Sequence, residues 1–142
     1  MVAELELLTI EAEWGPKQVA IQTRRLQSLD ESERPFRQVA KVYLESMELD
    51  PDLSDGSKVA YAGDMRQFLD TMAELEIQTI DQVDVTDLDV WKQQMQGMGS
   101  STICRKLASV SVFFEWAKAR RLVAWNPVDA VPDEAALVRM CE

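Results

Sequence analysis

The chain is expected to fold as an all-α, compact bundle of four main helices. Three observations lead there. Apolar residues recur at three- and four-residue spacing through four successive segments. The breaks between those segments are short and rich in Pro, Gly, Ser and Asp. Strand-type alternation is almost absent. A length of 142 residues suits one domain with a single hydrophobic core, and 46% hydrophobic with 28% charged residues is an ordinary globular balance.

Taken in order, residues 1–32 read as an N-terminal extension of uncertain order. "KQVAIQTRRLQSL" suits a short helix, but Gly15-Pro16 interrupts the pattern before it and acids follow it. From Glu33 onward, Phe36, Val39/Ala40, Tyr43 and Met47 form the first apolar stripe, which the turn formers of "ELDPDLSDGS" end. The second helix starts near Ser54 or Asp55, both good N-caps, and runs to about Leu75. Its stripe is Tyr61, Met65, Phe68, Met72 and Leu75. The third opens on Thr86-x-x-Asp89, a capping-box pattern, and presents Leu88, Trp91 and Met95. After "QGMGSS", Ser100 or Ser101 caps the fourth, which buries Ile103, Leu107, Val110, Phe114 and Ala117. Asn126-Pro127 ends any helical continuation, because the residue before Pro is pushed out of helical geometry. The helical core is thus placed at 33–131. Residues 132–142 read as a linker and the start of a further domain, with Asp133 as a helix cap.

Charge is unevenly spread. The formal net charge is −10, yet residues 100–131 carry five Lys and Arg (Arg105, Lys106, Lys118, Arg120, Arg121) against two acids, leaving ten against 23 elsewhere. Around the fourth helix, at 100° per residue, the apolar residues share one side. Thr102, Arg105 and Ser109 fall opposite, with Lys106 at their edge. Ser100, Ser101 and Thr102 stand at its N-terminus, where free backbone N–H groups favour an anion such as phosphate. Residue pattern alone leaves two readings open, a solvated polar face with ordinary capping and a phosphate-contacting face.

Several function classes drop out. Glu4, Glu6, Glu11 and Glu13 interrupt the N-terminus, so no signal peptide is expected. No apolar run approaches the roughly 18 residues of a membrane span, and no membrane partner is expected. Cys104 and Cys141 are isolated and too few for a disulfide framework, which points to a reducing cytoplasmic location. The chain has no His, so no metal site or cofactor is expected, and its five glycines form no phosphate loop. Tyr43 and Tyr61 lie on apolar stripes, as core residues rather than nucleophiles. Trp91 is expected in the core, Trp116 on the Arg105/Ser109 side, and Trp125 as the residue that pins the exit of the chain.

From Ser54 to Asn126-Pro127 the sequence resembles the N-terminal core-binding (SAM-like) domain of tyrosine recombinases, the phage integrase family. Three motifs carry the resemblance. Ser54, Ser57, Tyr61, Asp64, Met65 and Phe68 match the spacing of a Ser/Thr-led helix. "TIDQVDVTDLDVW" matches the lead-in to a short helix, and "SSTICRKLASVSVFFEWAKARRLVAWNP" matches the third signature with its closing Asn-Pro. Ser57 stands where the family usually has Thr, and Val110-Ser111 where it often has Arg.

The resemblance implies half of a clamp around double-stranded DNA. It places Ser101, Thr102, Arg105, Lys106 and Ser109 of the fourth helix toward DNA, with Ser57, Lys58 and Arg66 of the second. It also implies that a separate C-terminal catalytic domain of the same parent chain supplies the Tyr nucleophile and its Arg, Lys and His partners, and that a recombinase oligomer assembles on DNA. No catalytic residue is expected in this chain itself. A helical protein–protein interaction domain with an acidic partner is the alternative.

Overall fold

The structure, a computed structural model, describes residues 14–130, and these are all-α. Five helices occur in the order α1 (Pro16–Gln27), α2 (Phe36–Glu48), α3 (Asp55–Glu74), α4 (Val85–Gln94) and α5 (Ser100–Ala119). Single 3₁₀ turns come after α1, α3 and α5, at Glu31–Glu33, Ile80–Gln82 and Pro127–Ala130. The four helices expected from the apolar stripes are α2 to α5.

The segment whose order the sequence leaves open contains α1. Gly15-Pro16, which reads as a break, is a helix start: Gly15 is the N-cap and Pro16 opens the helix, where its missing N–H has no partner to lose. The helix packs along α2 and seats Leu26 in the core. Residues 1–13 and 131–142 lie outside the described residues, and with them Asp133 and the end of the expected linker.

With α1 on one side and α3 and α5 on others, α2 is enclosed nearly all round. Even Lys41 and Glu45 are buried, Glu45 accepting the Trp14 backbone N–H at 3.1 Å and Lys41 lying 4.9 Å from the Trp14 ring centre. The core centres on six aromatic side chains: Phe36 and Tyr43 of α2, Phe68 of α3, Trp91 of α4, and Phe113 and Phe114 of α5. Burying apolar area on this scale is the main stabilising term of such a domain.

The N-caps differ in detail from expectation. Ser54 caps α3 by accepting the Ser57 N–H, as its sequence position suggests. The capping box of α4 is Asp84 with Asp87, two residues earlier than Thr86 with Asp89, and it accepts the Thr86 and Asp87 N–H groups. For α5 the cap is Gly99, with no side-chain bond, so the two serines after it are already helical.

One end of the bundle is tied together by backbone. The Phe36 N–H donates to Gln78 O at 2.9 Å, and the Ile80 N–H to Arg34 O at 3.2 Å, so the loops before α2 and after α3 close on each other. The Arg34 guanidinium donates to the carbonyls of Leu26, Gln27, Arg121 and Leu122, joining the end of α1 to the end of α5.

Both long helices end in a Schellman turn with a non-glycine residue in the left-handed region. After α3, Glu76 has φ 62° and Ile77 N–H reaches back to Met72 O at 2.9 Å. After α5, Arg121 has φ 59° and Leu122 N–H reaches Ala117 O at 2.9 Å. Glycine normally fills this position, because any Cβ meets the following carbonyl there. Glu76 also adds negative charge to the negative end of the helix dipole. Glu76→Gly is therefore expected to stabilise the fold by about 0.5–1 kcal/mol, after allowing for the extra chain entropy of glycine. Urea denaturation measures it, and a lower midpoint in the variant would show that the Glu76 side chain holds something the turn needs.

Candidate nucleic-acid interface

The expected polar face lies along the seam where α3 packs on α5. On α3, Asp64 falls between Tyr61 and Phe68 on the inward side and is 2% exposed. A carboxylate cannot remain charged at such a place without partners. Three side chains of α5 supply them: Arg105 Nη1 donates to Asp64 Oδ2 at 2.5 Å, Ser109 Oγ to the same oxygen at 2.7 Å, and Lys106 Nζ to Oδ1 at 3.1 Å. Lys106 Nζ also donates to Gln67 Oε1, one turn along α3, at 2.6 Å. Arg105, Lys106 and Ser109 can converge because Ser109 lies four residues from Arg105 and three from Lys106, the spacings that share a helix face.

This network divides the expected contact residues by direction. Arg105 points partly outward, its side chain 46% exposed, whereas Lys106 is 13% exposed and turned into the seam. Ser109, expected on the solvent side of the fourth helix, is buried at 1% with its hydroxyl bound to Asp64, and it does not reach the surface. The helical wheel assigns it by angle from the apolar stripe, and that angle faces α3, not water.

Nearer the N-terminus of α5, Ser101 is exposed and Thr102 half-buried, one turn from Arg105. The Thr102 and Ile103 N–H groups both bond to Gly99 O at 3.1 Å, so the amides of Ser100 and Ser101 are the ones left by the intrahelical pattern. On α3, Ser57 is half-buried and shares its hydroxyl with Ser54 Oγ at 3.0 Å. Lys58 donates to Glu48 O at 2.9 Å and so neutralises the C-terminal end of α2. Arg66 is exposed on the same helix.

The remaining singled-out residues sort into core and surface. Trp91 is fully buried against Phe68, and Tyr43 is buried at 2%. Burial pushes the Tyr43 phenol well above its ordinary value, with Tyr61 adding to the shift, so it stays neutral. Trp116, expected beside Arg105 and Ser109, instead packs edge-on to Tyr43 with ring centres 5.3 Å apart and carries the Arg120 guanidinium 4.7 Å above its ring. Trp125 is exposed, and the exit of the chain is pinned by its neighbour Asn126, buried at 2%. Cys104 is buried and is not a free thiol, contrary to its expected isolation, and Cys141 lies outside the described residues. No group of His, Cys, Asp and Glu suited to a metal ion occurs among the described residues. No helix among them is long and apolar enough to cross a membrane.

Sequence reasoning missed Asp64 as the organiser of this face. The signal was present: an acid three residues after Tyr61 and four before Phe68 sits within an apolar stripe, where a charge must find a partner.

The fold and this face define a small helical domain that presents a guanidinium and hydroxyls beside a helix N-terminus. The phage integrase N-terminal SAM-like domain family matches residues 40–121, more than half of the chain, and the chain belongs to that family. Over 82 residues it is 28% identical to a tyrosine recombinase of Pseudothermotoga lettingae, a stretch that is 56% of this chain and 29% of that protein. The chain thus spans less than a third of that relative's length. No solved structure matches it. The match begins within α2, so α1 lies outside it.

Proposed function

We propose that the chain is the DNA-binding, core-binding module of a site-specific tyrosine recombinase, one half of a clamp on duplex DNA during integration or recombination. The observation that carries this is the exposed Arg105 beside Ser101 and Thr102, on the helix bearing the family's third signature, in a chain otherwise strongly acidic. Cleavage and rejoining are assigned to a catalytic domain elsewhere in the parent protein, and assembly into an oligomer on DNA to that whole protein.

The partition at the seam refines the contact list. Ser101, Thr102 and Arg105 meet the phosphate backbone directly from α5, with Ser57 and Arg66 contributing from α3. Lys106, Ser109 and Lys58 act from behind: the first two are turned into the seam onto Asp64, and Lys58 onto the Glu48 carbonyl at the end of α2. With about two cationic phosphate contacts, log affinity should fall against log salt with a slope near −2, each contact adding about 0.9. Affinity should lie in the range of about 10⁻⁴–10⁻⁶ M usual for non-specific complexes.

The test compares Arg105→Glu with Lys118→Glu on one duplex across a salt series. Both reverse one exposed charge on α5, at opposite ends. Arg105→Glu is expected to abolish measurable binding and Lys118→Glu to change it little. Equal losses would mean general charge attraction, and the acidic-partner reading would then move ahead.

A further inference from the structure

We propose that Asp64 is a positioning residue of the DNA-binding face, an internal anion that fixes how Arg105 meets a phosphate. The inference rests on the DNA-binding reading and adds a residue that makes no contact with DNA. Arg105 spends one nitrogen, Nη1, on Asp64, while nearly half of its side chain stays exposed. A guanidinium carries five N–H donors in a rigid planar fork, so holding one edge sets the direction of the others. Among the described residues Nε and Nη2 have no hydrogen-bond partner, and they are the donors a phosphate would take.

The other bonds explain why the anchor holds. Ser109 donates to the oxygen that Arg105 uses, and Lys106 donates to its twin, so neither carboxylate oxygen is free to rotate away. Lys106 is itself fixed by Gln67. The face therefore offers DNA one oriented guanidinium in place of two floating cations. Orientation of this kind removes side-chain freedom before binding and not during it.

Coulomb attraction alone predicts the opposite of positioning. Removing the Asp64 charge makes the face more positive, which should strengthen binding to a polyanion. If Asp64 positions Arg105, removal weakens binding although positive charge has been gained. The sign of the effect separates the two.

The experiment measures affinity for a duplex DNA, across a salt series, for the wild-type chain, Asp64→Asn, Arg105→Lys and the double variant, with thermal unfolding of each alongside. Asn keeps the shape and one acceptor oxygen, and Lys keeps the charge but cannot grip the carboxylate and face outward at once. Each single variant is expected to bind about tenfold more weakly, the worth of one charge-assisted hydrogen bond. The salt slope should become shallower by about 0.9. The double variant should bind no more weakly than either single one, because both break the same link.

Binding by Asp64→Asn as tight as wild type, or tighter, overturns the proposal, as do losses that simply add. Should Asp64→Asn fail to unfold cooperatively, Arg105→Lys decides alone: unchanged affinity at unchanged charge overturns the proposal. Binding that Arg105→Glu leaves intact overturns the DNA reading, and this inference with it.

Discussion

Phe113→Ala is expected to destabilise the chain by about 4 kcal/mol, a large share of the roughly 5–15 kcal/mol that holds an ordinary domain folded. Phe113 is fully buried and lies among four other rings. It stacks on Phe36 with ring centres 5.8 Å apart and planes 12° apart, meets Tyr43 edge-on at 5.2 Å and Phe114 at 5.0 Å, and reaches Trp116 at 6.4 Å. Truncation removes the transfer free energy of the ring and leaves a cavity that its tightly packed neighbours cannot fill. It also removes edge and stacking terms of about 0.5–1.5 kcal/mol for each aromatic pair. Its neighbour Val112 faces outward at 41% exposure, and Val112→Ala should change stability by less than about 0.5 kcal/mol. Guanidinium denaturation of the two variants makes the comparison. A loss below about 1 kcal/mol at Phe113 would mean that the aromatic centre is not packed as described.

The second large effect belongs to Asn126. Its amide NH₂ donates to Ser111 O at 3.2 Å, Ser111 Oγ at 3.1 Å and Glu115 Oε2 at 3.0 Å, and its carbonyl accepts the Val128 N–H at 3.0 Å. Asn126→Ala strips partners from half-buried Ser111 and exposed Glu115 on α5 and from the buried Val128 N–H on the turn after it, at an expected cost of about 1–3 kcal/mol. Asn126→Asp should be worse near neutral pH, because it sets a buried carboxylate against Glu115. Burial and the like charge raise the pKa of the introduced group above its unfolded value, so the penalty is present above the folded pKa and relieved below it. Stability of the Asp variant should therefore rise relative to the parent as pH falls through the carboxylate range. A pH-independent difference between the two would remove the electrostatic part of the account.

Much of the fold is legible in the sequence because apolar spacing reports which side of a helix is covered. Phe36, Val39, Tyr43 and Met47 of α2 are all buried, as are Met65, Phe68 and Met72 of α3, whose Tyr61 and Leu75 are half-buried, and Leu88 and Trp91 of α4 with Met95 at its C-cap. The rule weakens where a helix has neighbours on two sides. On α5 Leu107, Val110, Phe114 and Ala117 of the stripe are buried as expected and Ile103 is only half-buried, while Phe113 and Ser109 beyond its edges are buried as well. A stripe gives the centre of the covered arc and says little of its width. The ambiguity of α1 has a different origin: a single residue, Leu26, is fully buried on it, so its periodicity is faint, and Gly-Pro marks breaks and helix starts alike.

The polar face is legible in composition and obscure in arrangement. Clustered Lys and Arg announce a helix that differs from the rest of the chain. Which of those cations point outward depends on an acid on another helix, and no local pattern on α5 contains Asp64. Of the adjacent pair Arg105 and Lys106, one is thereby turned inward. The Asn126-Pro127 pair, similarly, is visible as a helix stop, while the bonds from Asn126 to Ser111 and Glu115 require α5 to be folded alongside it.

The two backbone bonds that join the loop before α2 to the loop after α3 have a kinetic consequence. In deuterated solvent, amides near helix starts and in short turns normally exchange early, because small local openings expose them. The Phe36 and Ile80 amides are each closed by the opposite loop, so neither is released by fraying of its own segment. One event, the parting of the two loops, exposes both. Their exchange should share one opening free energy, well separated from that of surface turns such as the one at Asp50–Leu53. Because Arg34 stands in the same loop and grips the carbonyls at the end of α5, that event also frees the point where the chain turns out of its last long helix.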